Sequence, residues 1–120
     1  MNSLNAILLQ GVLVRNPEVH ESPNGVMVCT FTVASDRFYR DEGSTELEKE
    51  VSLFVIEAWW RLGQCCVEKL KKGRGVRVVG RLKQERWVDG EGKNKSKVKI
   101  VAEHVEFKPA FNRAPEEDDA

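Results

Sequence analysis

Phe38, Tyr39, Trp59, Trp60 and Trp87 all stand beside polar or basic residues rather than inside apolar runs. Tyr39 lies between Phe38 and Arg40, Trp60 precedes Arg61, and Trp87 follows Arg86 in the run KQERW. Flat rings next to guanidinium groups suit a ligand that offers both a π-face and a phosphate. Unpaired nucleobases are such ligands: stacking on an aromatic side chain is worth roughly 1–3 kcal/mol per base. A neighbouring arginine can stack too, or pair with the phosphate. Packing competes for every ring. Trp59 and Trp60 occupy opposite faces of one strand, so one of them is free to serve the core. Phe31 alternates with core positions, and Phe38 reads more simply as packing than as contact. Trp87 has the least structural reason for its place, on a basic hairpin arm.

The charges are sorted in the same direction. The chain is neutral, with nineteen residues of each sign, yet residues 61–99 hold thirteen Lys or Arg against four acids. Residues 41–50 carry five acids and one lysine, and the last six residues carry four acids. Over residues 1–114 the basic residues therefore outnumber the acidic ones by four. A basic block of this kind points to a phosphate-seeking surface. Arg77, Arg81 and Lys83 line one face of a strand. Lys93, Lys95, Lys97 and Lys99 occupy the arm that returns, the last three on the side opposite Val98 and Ile100. Basic side chains combined with exposed rings fit a single strand better than a duplex, whose readers usually insert a helix or paired strands into a groove.

Other chemistry finds little support. There is no GxSxG elbow, no GxxxxGK[ST] loop and no HExxH helix. The acids of 41–50 lack the ligand spacing and central glycine of a calcium loop. Cys29, Cys65 and Cys66 form no CxxC pair, and with only His20 and His104 a zinc site is not expected. Three unpaired thiols suit a reducing cytosol. Glu57 interrupts an apolar strand and is expected to line the barrel mouth or pair with an arginine. No cofactor and no catalysis are expected. The opening MNSLNAILLQ has no positive region, and no apolar run approaches the ~18–20 residues that span a bilayer, so neither a leader nor a membrane partner is expected.

The elements that must position these residues follow from periodicity. Residues 4–14 form an apolar run broken by Gly11, where a bulge or bend would let one strand serve two neighbours. Residues 26–34 alternate, with Met27, Cys29, Phe31 and Val33 on one side. Residues 51–60 make a third strand with large side chains on both faces. Residues 61–72 are the one convincing helix, with Leu62, Cys66 and Leu70 on a stripe and Gly73 at the expected C-cap. A fourth strand begins at Val76, and KSKVKIVAEHVEF returns as a fifth. This order gives an all-β fold: a five-stranded oligonucleotide-binding (OB) Greek-key barrel with one helix between strands 3 and 4. The domain is expected to span residues 1–109, followed by a short disordered acidic tail over 110–120.

Several runs in this order resemble the bacterial single-stranded DNA-binding protein family: NAILLQG (5–11), Asn16-Pro17-Glu18, Pro23-Asn24-Gly25, FTVA (31–34), LKKG (70–73), Gly80-Arg81-Leu82 and Trp87 with Asp89. The resemblance covers roughly residues 3–108. It implies a homotetramer that binds single-stranded DNA with little sequence preference in replication, recombination and repair, located in the cytoplasm. The family's stacking positions fall on Tyr39, Trp59 and Trp87, and its basic positions on Arg61, Lys71 and Lys72. A further aromatic position falls on Leu53, which cannot stack. Glu85 stands where a positive charge is common, and Trp60 where glycine is common. The expected DNA contacts are thus Tyr39, Trp59, Trp60 and Trp87 for bases, with Arg40, Arg61, Lys71, Lys72, Arg77, Arg81, Lys83, Arg86, Lys95 and Lys97 for phosphates. Glu116, Glu117, Asp118 and Asp119 stand where relatives carry a partner-docking acidic tip, the expected contact for replication and repair proteins. The alternative is a primosome-type accessory protein on the same barrel that binds strands weakly and recruits partners.

Overall fold

Alternation of β-branched and aromatic residues over 27–34 leaves Cys29, Phe31 and Val33 all on one side, and each is buried. They are the spine of the core in a computed structural model that describes residues 1–109. The strands are β1 (Ile7–Leu13), β2 (Glu18–Glu21), β3 (Met27–Tyr39), β4 (Glu48–Trp59), β5 (Gly75–Val88) and β6 (Asn94–Lys108), with one helix, α1 (Trp60–Lys69). They hydrogen-bond in the order β1-β5-β6-β4-β3-β2, and a further β1–β3 pairing closes the barrel. β2 is the short addition to the five strands read from the sequence. It lies outside the closed circuit, pairs only with β3, and all four of its residues are exposed.

Closure depends on Gly11. β1 pairs with β5 from Ile7 to Val12 and with β3 at Val12 and Leu13. At the crossover a Cβ on Gly11 would lie 2.2 Å from the Ala34 carbonyl oxygen, so only glycine lets the two backbones meet. One strand thus serves two neighbours at this glycine, as expected.

The core joins Leu13, Ile56, Val76, Val78, Ile100 and Val105 to the β3 spine, and Cys66 of α1 with the following Leu70 covers it. The helix ends earlier than its periodicity suggests. The Leu70 N–H bonds the Cys66 carbonyl as the cap, and Gly73 instead takes a φ of 91° in the turn before β5. Burial pushes the Cys29 thiol up to about 11 and that of Cys66 to about 12, so both behave as small apolar core groups.

Two long hairpins project from the barrel. β3 and β4 pair from Val28–Trp59 out to Tyr39–Glu48. β5 and β6 pair out to Val88–Asn94. The second tip is fixed by Asp89, whose carboxylate accepts the N–H groups of Glu91 and Lys93, both at 2.9 Å.

Candidate nucleic-acid interface

Directly paired residues of antiparallel strands share a face. On the β5–β6 arm the pairs Lys83–Lys99, Glu85–Lys97 and Trp87–Lys95 therefore form one stripe. On β3–β4 the pairs Val28–Trp59, Thr30–Glu57 and Thr32–Val55 form another. The two stripes meet in a cleft of about 500 Å³, whose third wall is β2 and the residues beside it.

Trp59 stands in this cleft, half-buried, with the Lys83 ammonium 5.6 Å from its ring centroid. Its indole N–H donates to the Glu57 carboxylate at 3.2 Å. Glu57 is 6% exposed and forms an ion pair with Lys99, whose ammonium also reaches Glu85 at 2.6 Å. Glu57 lies on the cleft wall as expected, but its partner is a lysine rather than an arginine. Burial by itself would lower the Lys99 pKa; the two carboxylates outweigh it and hold the ammonium above the ordinary lysine value. The same hydrogen bond from Lys99 holds Glu85 below the usual carboxylate range. Neither Lys99 nor Glu57 is among the DNA contacts expected from the sequence, and the ion pair between them is what that reading did not contain. The signal was available in an acid at an inward-reading position of an apolar strand, facing a lysine on the returning arm.

Around the cleft the expected contacts divide. Lys83 and Lys97 line it, and Arg81 lines an adjoining recess with Trp59 and Trp60. Trp87, 47% exposed, shares a shallow pocket on the arm with Arg86 and Lys95. Trp60 and Arg61 project at the start of α1. The other candidates lie elsewhere. Arg77 is held on the β1 side, its Nε donating to Gln10 at 3.0 Å and its guanidinium 3.7 Å from Glu106. The β5–β6 register shift at Val79/Gly80 separates it from Arg81 and Lys83. Lys71 and Lys72 are in the turn after α1, where the Lys72 N–H bonds the Asn16 side chain. Tyr39 and Arg40 sit at the outer end of the β3–β4 hairpin, eleven residue pairs from Trp59, up to about 36 Å along the strand. There the Arg37 guanidinium covers the Tyr39 ring at 4.9 Å. Phe38, read as packing, is instead 53% exposed, because the hairpin has left the barrel by that point. Glu116, Glu117, Asp118 and Asp119 lie outside the described residues.

The resemblance read from the motifs extends to the whole domain. Residues 4–108 match the model of the single-strand binding protein family. A single-stranded DNA-binding protein of Aquifex aeolicus is 35% identical, over 97% of this chain and 80% of its own length. One from Treponema pallidum is 37% identical over 89% of this chain, which spans only 59% of that relative. Among solved structures, a Plasmodium falciparum single-stranded DNA-binding protein in complex with single-stranded DNA superposes with a TM-score of 0.78. It is 28% identical, and the match covers 89% of this chain and 97% of that one. The barrel, the ring-and-lysine cleft and these matches converge, and the chain belongs to the single-strand binding protein family.

Proposed function

We propose that the chain is a non-enzymatic binder of single-stranded DNA. The observation that carries this reading is the Trp59 cleft: an indole fixed at its edge, a cation over its ring, and further lysines along the walls. A base stacks on the ring while the linking phosphates run past Lys83, Lys97 and Arg81. Trp87, Arg86 and Lys95 extend the track along the β5–β6 arm, and Tyr39 with Arg40 continues it on the β3–β4 hairpin. Lys71, Lys72 and Arg77 serve strand segments that leave the cleft. Stacking is indifferent to base identity, which gives sequence tolerance and a protective role in replication, recombination and repair. The accessory-protein reading is less favoured, since that role does not call for so many rings in contact with solvent.

Self-association would lengthen the track. Ile7–Gln10 pairs only with β5 on one edge, and Leu8 on this strand is 71% exposed. An open edge with apolar side chains fits a second copy of the chain, and a homotetramer would set four clefts on one particle. Glu116 to Asp119 would recruit replication and repair proteins by charge.

Tryptophan fluorescence tests the reading. Titration with a long thymidine oligomer quenches strongly, whereas a duplex of equal length does not. Equal responses to both, or none to the oligomer, would refute single-strand binding.

A further inference from the structure

Trp60 is the one non-glycine among the described residues with a positive φ, at 59°. This left-handed conformation crowds any L side chain and is a true outlier for a bulky one. The usual compensation for such strain is a well-packed ring, yet Trp60 is 68% exposed. Its indole N–H has no hydrogen-bond partner among the described residues. The fold therefore bears a strained backbone for a side chain that contributes little to it, which points to a contact made with something outside the chain.

Its position says what. Trp60 lines the recess that adjoins the Trp59 cleft, with Arg81 and Lys83. It also lines a second, shallow depression of about 700 Å³ with Met27, Arg61 and Gln64. The ring is the ridge between the two. We infer that Trp60 is a second stacking platform, carrying a bound single strand from the Trp59 cleft over the start of α1 and onto the depression at Met27 and Arg61. The occupant is DNA because the ridge is continuous with the cleft and has a guanidinium on its far side. Trp59 then holds one base and Trp60 a following one, with Arg61 placed for the phosphate beyond. This inference rests on the single-strand reading above.

The test compares stability with affinity in the full-length chain. Trp60→Gly and Trp60→Asn both accept the left-handed backbone and lack the ring. Both are expected to raise the urea midpoint and to weaken binding of labelled thymidine oligomers at least about fivefold. The oligomer length at which affinity saturates should also shorten. Trp60→Phe keeps a ring and should retain most of the affinity. Variants that bind like the parent, with the same saturating length, overturn the inference and leave the Trp59 cleft intact. Unchanged affinity with a smaller particle in solution also overturns it, placing Trp60 at a subunit contact. If the parent chain fails to bind the oligomer, the single-strand reading falls and this inference with it.

Discussion

Glu57 accepts the indole N–H of Trp59 from two residues earlier on the same face of β4, across 3.2 Å. The consequence is pre-organisation. A tryptophan at the mouth of a cleft would otherwise sample several rotamers and lose that freedom on binding. Here the ordering cost is borne during folding, and the face of the ring is set before any ligand arrives. The carboxylate can be buried because Lys99 neutralises it from the opposite wall.

Removing that carboxylate should be felt twice. Glu57→Ala leaves the Lys99 ammonium with Glu85 alone and the Trp59 N–H without its acceptor. A loss of about 3 kcal/mol, the lower end for breaking a buried pair, is expected in urea unfolding. Weaker fluorescence quenching by thymidine oligomers should accompany it. Glu57→Gln keeps an acceptor for the indole and should quench more nearly as the parent does.

Trp87 separates binding from stability. Its ring is nearly half exposed on the β5–β6 arm and takes no part in the core. Trp87→Ala should weaken oligomer binding by roughly 1–3 kcal/mol and leave the thermal midpoint unchanged. Unchanged affinity would remove Trp87 from the track.

Gly11 has the opposite character. Because a Cβ there would lie 2.2 Å from backbone, Gly11→Ala must push β1 away from β3 and open the barrel seam. The expected cost is about 3 kcal/mol, the high end for overpacking, read from calorimetry or urea unfolding. A stable Gly11→Ala protein would show that β1 can close on β3 by another route.

The Lys99 pairs also set a pH response. Glu85 has a folded pKa below its ordinary 4.5, so its stabilising charge is present above that value. It is lost as pH falls through the lower folded value. Lys99 has a folded pKa above its ordinary 10.5; its contribution is complete below 10.5 and lost only as pH rises through the raised value. The parent should thus be more stable than Glu85→Gln at neutral pH and converge with it in acid. Glu85 keeps more than a third of its side chain in water, so the neutral difference should stay under about 1 kcal/mol. Urea midpoints followed from pH 7 down to the acid limit of the fold check this.

Local sequence revealed the barrel well because its strands carry strict alternation and its turns carry Asn, Gly and Pro. Cys29, Phe31 and Val33 are buried as their pattern required, and β1 passes from β5 to β3 where Gly11 breaks an apolar run. What the sequence concealed is relative placement. Arg77 and Arg81 look equivalent in a two-residue alternation, but the Val79/Gly80 irregularity sends them to different neighbours. Tyr39 and Trp59 look like members of one site, yet strand register separates them by most of a hairpin. Lys99 is one of several arm lysines in the sequence, and only the fold brings it between Glu57 and Glu85. β2, with no core-facing side to mark it, gave no periodic signal.

The Trp59 cleft is lined by Arg15, Lys83, Lys97 and Lys99, and equally by Glu18, Glu21, Glu57 and Glu85. Such a mosaic largely cancels at a distance, so the cleft lining itself adds little long-range pull on a polyanion. What the cleft offers a ligand is therefore close contact, with the fixed Trp59 ring and the Lys83 ammonium beside it, rather than net charge.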